Sequence, residues 1–171
     1  MRVGRSTLGA VNRADTEYPM NKPYFIFTDG SAIGNPGPAG WAAVVIQGAK
    51  RREIAGSVPW STVSEMELRA AVEALRLTPS GARIELRSDS ELLIHGMRFR
   101  VFRWRRYGWR NSRGFELQHQ ELWRELLLLN ADRTIRWLWV KAHSGHPIQS
   151  RADAIAYQAA RAFAAQERIA A

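Results

Sequence analysis

Two strand-like runs that each end on an aspartate next to serine constrain this chain more than anything else in it. Tyr24 to Thr28 is rich in β-formers and is followed by Asp29, Gly30 and Ser31. Ile84 to Arg87 repeats the arrangement and is followed by Ser88, Asp89 and Ser90. The first run is apolar on both faces and closed by a turn signal, as a strand at the centre of a sheet would be. Were both strands parallel neighbours, their carboxylates would meet at the carboxyl edge of the sheet, where open α/β sheets bind ligands. Facing carboxylates repel unless a cation joins them, and all-oxygen sites favour Mg²⁺ or Mn²⁺. Taken alone, Asp29 is equally well read as a turn aspartate capping Gly30 or Ser31.

The remaining elements fit around these strands. Asn35-Pro36 and Gly37-Pro38 are turn dipeptides, after which Trp41 to Ile46 reads as a second strand. Gly48 to Lys50 turns the chain, and Arg51 to Ser57 partly alternates as an edge strand does. Ser61, Thr62 and Ser64 offer helix N-caps, with Ser64 to Glu67 matching a capping box. Leu68, Ala71, Val72 and Leu75 give that helix its buried face as far as Leu77. Glu67 stands at the margin of this face, where a solvated partner of the helix dipole is the simpler reading. Helices are expected over Glu91–Met97, Leu117–Leu129 and Arg151–Ala165, and a strand over Thr134–Val140. Asp153, in the first turn of the last helix, reads by itself as another dipole partner. The order βββ-α-β-α…α-β-α predicts one mixed sheet with helices on both faces.

The most biased segment is Arg98 to Arg113, which holds seven Arg, five aromatic residues and no acid. Arg103, Arg105 and Arg106 interleave there with Trp104, Tyr107 and Trp109, and some of the Trp must pack internally if the segment is a helical hairpin. Arginines that neutralise phosphates, beside rings that stack or pack, are how proteins hold nucleic acid. The net charge of +9, with 22 of the 25 basic residues Arg, points to the same kind of partner. Cysteine is absent, which excludes disulfides, thiolate nucleophiles and cysteine-ligated metal. No apolar run is long enough to span a membrane, and no signal-peptide core is present, so a cytoplasmic protein is expected. At 171 residues one domain is expected, over 22–166. Residues 1–21 read as a disordered extension and 167–171 as a tail.

In combination, Thr28-Asp29-Gly30-Ser31 with Gly34-Asn35-Pro36-Gly37-Pro38, Met66-Glu67-Leu68, Ser88-Asp89-Ser90 and Lys141 to Pro147 followed by Asp153 closely resemble bacterial type 1 ribonuclease H. The resemblance covers Tyr24 to about Phe163. It implies a ribonuclease H-like fold, a five-stranded mixed sheet flanked by helices, with a basic helical protrusion. It implies hydrolysis of the RNA strand of RNA–DNA hybrids with two Mg²⁺ ions (or Mn²⁺), leaving 5′-phosphate and 3′-hydroxyl ends, by a monomer. Asp29, Glu67, Asp89 and Asp153 then correspond to the four metal-binding carboxylates, against the plainer readings of Glu67 and Asp153. His143 corresponds to a residue assisting proton transfer or product release. Contacts to the hybrid are expected from Ser31, Asn35, Thr62, Arg103, Trp104, Arg105, Arg106, Trp109, Trp123 and Gln149.

The chain also departs from that pattern. Val63 stands where an Asn contacts substrate, Glu91 where a Gln reads the minor groove, and Gln149 where an Asn precedes the last Asp. These changes bear on substrate affinity and fine selectivity rather than on catalysis. The rival readings are a transposase- or resolvase-like nuclease of the same fold and a non-cleaving hybrid-binding module. The Gly-Asn-Pro-Gly turn and the His143-Ser144-Gly145-His146 loop weigh against the first. The four carboxylates weigh against the second, because clustered negative charge repels phosphates.

Overall fold

The computed structural model describes residues 22–142 and 145–170, with side chains as far as 166. The expected N-terminal extension lies outside the described residues. Eleven segments follow one another: β1 (Tyr24–Ala32), β2 (Gly37–Gln47), β3 (Lys50–Ser61), α1 (Val63–Arg76), β4 (Arg83–Ser88), α2 (Glu91–His95), a π-helical turn (Gly96–Arg100), α3 (Val101–Arg106), α4 (Gln120–Ala131), β5 (Thr134–Trp139) and α5 (Pro147–Ala170). The last helix begins four residues earlier than its pattern predicts and runs on through Ala170. Among the described residues no helix is long and apolar enough to cross a membrane.

The sheet has the order β3-β2-β1-β4-β5. The first three strands form the expected antiparallel meander. β4 joins β1 in parallel and β5 joins β4 in parallel, so the two Asp-terminated strands are neighbours running the same way. The sheet is mixed, as expected. Alternate residues feed two cores, one on each face. Ile26, Ala43 and Val45 enter the larger core with Leu68, Leu75 and Leu126, while Phe27 and Val44 meet Ala152 of α5. Period-two alternation on strands buried on both faces produces this division.

β1 is longer than its apolar run. Its parallel ladder with β4 stops at Phe27↔Arg87, but its pairing with β2 continues to Ala32↔Ala39. Asp29 therefore sits inside a strand, two residues beyond the point where β4 lets go. The neighbouring gap at the carboxyl edge is what gives its side chain somewhere to point.

Candidate active site

Four elements deliver one carboxylate each to a cleft of about 200 Å³ at this edge. Asp29 comes from β1, Glu67 from α1, Asp89 from the turn after β4 and Asp153 from α5, with Gly30, Val63, Gln149 and Ser150 completing the lining.

The local sequence accounts for each placement. Asp29 is buried, and its Oδ1 accepts from the Gly30 amide at 2.7 Å. Gly30 matters for a second reason. A Cβ there would lie 2.5 Å from the Glu67 amide nitrogen and 2.9 Å from the Met66 Cβ. Only glycine lets α1 rest directly on β1, which brings Glu67 beside Asp29. The cap of α1 is Thr62, whose hydroxyl accepts from the Glu65 amide at 3.2 Å. The capping box expected at Ser64–Glu67 is thus displaced by two residues, since Thr62 and Glu65 hold that spacing at the actual helix start. With Thr62 as the cap, the Glu67 carboxylate is free of the helix start and accepts from Ser90 Oγ at 2.5 Å. Ser90 also caps α2 and is itself buried, so it fixes Glu67 and the turn bearing Asp89 together.

Asp89 is held from the other side as well. Trp139 Nε1 donates to the Asp89 carbonyl at 3.0 Å, and the Val140 amide donates to Ser88 at 3.0 Å. Asp153 lies in the second turn of α5, not the first, because the helix starts at Pro147. That moves it past the reach of a simple dipole partner and over the cleft. α5 approaches closely where Gly40 leaves room, since a Cβ there would meet the Ala156 carbonyl at 2.5 Å. Gln149 Nε2 donates to the Thr28 carbonyl at 3.1 Å, tying α5 to the residue before Asp29.

Burial, followed by repulsion from Asp89, pushes the Asp29 carboxyl up to about 8; the Gly30 hydrogen bond opposes this, and Asp153 and Glu67 add to it. Burial likewise pushes Glu67 up to about 7, with Asp89 adding to the rise and the Ser90 hydrogen bond opposing it. Among the described residues no three His, Asp or Glu side chains converge into a ready-made cage for a metal. The donor set is nonetheless all oxygen and charge-dense, which is the chemistry that hard divalent cations take.

Other candidates fall differently. Asn35 follows Gly34 and precedes a cis Asn35-Pro36 bond, and its Oδ1 accepts from the Val63 amide at 3.2 Å. Asn35 and Thr62 together satisfy the start of α1. Ser31 is half-buried on β1. The three tryptophans expected at the hybrid are all largely buried in the packing of the hairpin, although Trp104 also edges the hollow that holds Arg100, Arg103 and Arg110. Trp123 is 1% exposed and lies edge-on to Trp104 with ring centroids 5.0 Å apart. A Cβ on Gly96 would come within 2.3 Å of the Trp123 ring, so the π-helical turn closes directly on that indole. Trp109 is also in the core, its backbone in the left-handed region at φ 61°. The physical reason is size: a hairpin standing off the sheet needs its own large side chains to fill it. Trp123 has no surface left for a ligand.

The arginines divide between two sides of the hairpin. Arg103 shares a hollow of about 750 Å³ with Arg100, Arg110 and Tyr107, and this hollow reaches Leu92, less than one turn from Asp89. Arg105 faces a different groove, and Arg106 is exposed. The sequence pointed to Arg100 and Arg110 only as members of the basic segment, and carried no sign of the positioning roles of Ser90 and Trp139. Ser90 belonged to the recognised Ser-Asp-Ser motif, but nothing local says that its hydroxyl reaches a helix 23 positions away. His143 lies outside the described residues. His146, the second histidine of that loop, stacks on Phe27 at 4.9 Å.

Comparison with known proteins agrees with this geometry. The RNase H family model matches residues 21–161. Ribonuclease HI of Caulobacter vibrioides is 39% identical over 142 residues, covering 83% of this chain and 95% of that protein. Ribonuclease H of Moorella thermoacetica is 42% identical over 147 residues, 85% of this chain and 97% of the relative. Among solved structures, LC9-RNase H1, described as a type 1 RNase H with the type 2 active-site motif, superposes with a TM-score of 0.74 at 27% identity over 82% of this chain and 73% of its own. With a matching family model over most of its length and relatives of this identity, the chain belongs to the ribonuclease H family.

Proposed function

We propose that this chain is a divalent-metal-dependent endoribonuclease that hydrolyses the RNA strand of RNA–DNA hybrids, leaving 5′-phosphate and 3′-hydroxyl ends. The observation that carries the reading is the convergence of Asp29, Glu67, Asp89 and Asp153, from four separate elements, on one cleft. Two of these carboxyls are held above their ordinary values by burial and by their neighbours, a state that a bound cation relieves. Mg²⁺ fits the donor set, Mn²⁺ also, and these four residues are the ones that would hold it. Such ions supply an activated water and stabilise charge on the leaving oxygen.

The protein's own contribution is positioning. Ser90 keeps one Glu67 oxygen occupied, so the other is turned to the cleft. Trp139 and Gln149 fix the backbone on either side of the site, at Asp89 and Thr28. Arg100, Arg103, Arg110 and Tyr107 present a cationic, aromatic-lined hollow continuous with α2, suited to a nucleic acid backbone lying across Asp89. One relative in the solved structures, LC11-RNase H1, is described in complex with an RNA/DNA hybrid, and at 22% identity and TM-score 0.61 it shares the fold. His143 is assigned to proton transfer or product release, and a cytoplasmic monomer is the expected form.

The test is cleavage of an end-labelled RNA–DNA hybrid beside a DNA duplex and an RNA duplex, with Mg²⁺ titrated from zero. Cleavage of the hybrid's RNA strand alone, dependent on Mg²⁺ and lost in Asp89→Asn, is the expected result. Turnover without divalent metal, or near-parental turnover by Asp89→Asn, overturns the assignment.

A further inference from the structure

On the side of the hairpin away from the carboxylate cleft, two cavities meet at Asn130. One, of about 590 Å³, lies between α3 and α4 and is lined by Phe102, Arg105, Trp109, Arg124 and Leu128. The other, of about 490 Å³, lies against β5 and is lined by Met97, Arg98 and Ile135 to Leu138. Among the described residues, neither contains a residue of the carboxylate cleft and neither contains an acid. Joined at Asn130, they make a grooved surface whose first half has an apolar floor and whose second half is more polar, with arginines bordering both.

Three properties of this groove need an occupant to explain them. Phe102 is 60% exposed and Leu128 is 73% exposed, and both border the same cavity. Large apolar side chains gathered at a concave site mark an interaction surface rather than random exposure. Beneath them the Arg124 guanidinium lies over the Trp109 ring at 5.1 Å, which fixes a cation at the floor's edge. Arg105 adds a second. At the other end, Arg98 rests over Phe99 at 4.9 Å, whereas Arg136 is already paired with Glu85 at 3.0 Å. Finally, among the described residues β5 is an edge strand. One flank pairs with β4, and four consecutive β5 residues line the groove, so the other flank faces it.

We propose that this groove docks an extended acidic peptide segment of a partner protein. Apolar side chains of the segment enter between Phe102 and Leu128, its carboxylates meet Arg105, Arg124 and Arg98, and its backbone runs toward the open flank of β5. The edge strand favours a peptide over nucleic acid, because only a peptide backbone can add to a sheet. The apolar floor favours it too, since phosphates gain nothing from Leu127, Leu128 and Ala131. The inference stands apart from the proposed hydrolysis. It gives the enzyme a second face by which another protein could bring it to its substrate.

The experiment titrates the full chain into a short fluorescein-labelled peptide with Asp and Glu around a central Phe-Leu pair, read by anisotropy. Hybrid binding and cleavage are measured in parallel. Saturable binding is expected, with a loss of roughly tenfold in Leu128→Ser and a similar loss in Arg124→Gln. Both variants should cleave and bind the hybrid as the parent does. Both sites are exposed, and an unchanged melting curve confirms that each variant folds. Three results overturn the proposal. One is equal affinity for a control peptide with Ser-Ser in place of Phe-Leu, which would mean charge attraction alone. Another is unchanged peptide binding in both variants. The third is a fall in hybrid affinity matching the fall in peptide affinity, which would make the groove part of the nucleic acid surface.

Discussion

Removing the Asp29 charge should stabilise the metal-free protein while ending its activity. Asp29 is 7% exposed as a residue, and its carboxyl has been pushed from 3.8 up to about 8. At pH 7 it is ionised in the unfolded chain but mostly protonated in the folded one, so folding must take up a proton. The gap between pH 7 and 3.8, at about 1.36 kcal/mol per unit, puts that cost at about 4 kcal/mol. Water entering the open cleft lowers it, to about 2–4 kcal/mol. Asp29→Asn removes the cost and keeps an oxygen to accept from the Gly30 amide. In a chain of this size that corresponds to a rise of about 5–12 °C in Tm. The sign fixes the pH dependence. The folded state binds more protons than the unfolded one between 3.8 and about 8, and Glu67 acts the same way between 4.5 and about 7. The contribution of these two carboxyls to the parent's stability in EDTA is therefore fully present below this window and is lost as pH rises through it, and the variant's curve is flatter there. Mg²⁺ should raise the parent's Tm by mass action and the variant's much less. Thermal melts at several pH values, with EDTA and with Mg²⁺, measure all of this. Equal Tm for parent and variant in EDTA at pH 7, or equal stabilisation of both by Mg²⁺, would refute the reasoning.

Four further outcomes are expected. Charge reversal at Arg100, Arg103 and Arg110 should raise KM and flatten the salt dependence of hybrid binding by roughly one unit of slope per arginine, leaving kcat little changed in steady-state assays. Val63→Asn puts an amide into the cleft lining, and Glu91→Gln removes an exposed charge one residue past Ser90; each should lower KM about fivefold, about 1 kcal/mol, on one defined hybrid. Gly30→Ala should cost about 1–3 kcal/mol in denaturant unfolding and most of the activity, because its Cβ meets the backbone of α1 at 2.5 Å. Trp123→Ala should cost about 3–5 kcal/mol of stability and weaken hybrid binding in those molecules that remain folded, because it removes the packing that holds the hairpin's arginines in place.

How much of this was legible in the sequence depended on the range over which each signal acts. The apolar runs that make β1, β2 and β4 are local, and each strand contains its run, but β1 continues past Thr28 to Ala32 and β2 begins at Gly37, so the dipeptide Gly37-Pro38 read as a turn lies inside β2. Two Asp-terminated strands were enough to predict a shared edge, and β1 and β4 are parallel neighbours. Glu67 and Asp153 were not legible from their own surroundings. Each looks like a helix-dipole partner, and what sets them over the cleft is nonlocal: the bare Gly30 backbone under α1, and the bare Gly40 backbone under α5. Helix starts were misjudged where several capping residues compete. Ser61, Thr62 and Ser64 all qualify, and Thr62 prevails where the Val63 amide also finds the Asn35 side chain. That some tryptophans pack internally was legible, but not which, because an aromatic among arginines is equally a stacking surface or the filling of a small core, and composition cannot separate the two.

That division of aromatic from cationic duty explains how the hairpin can serve the cleft at all. Seven arginines on one short segment repel one another, and a helical hairpin with no apolar interior would not hold them. Trp104, Trp109 and Trp123 supply the interior, with Gly96 letting the Trp123 ring lie directly against the backbone. The π-helical turn falls at this contact. One additional residue in a helical turn rotates everything beyond it relative to α2. Arg100 and Arg103 thereby share a hollow with Leu92, on the helix that begins at the Asp89 turn, while Phe102 and Arg105 face away. The placement of cations beside the carboxylates thus depends on a packing contact that contains no charge. A substitution at Gly96 should disturb substrate affinity without touching an arginine or an acid.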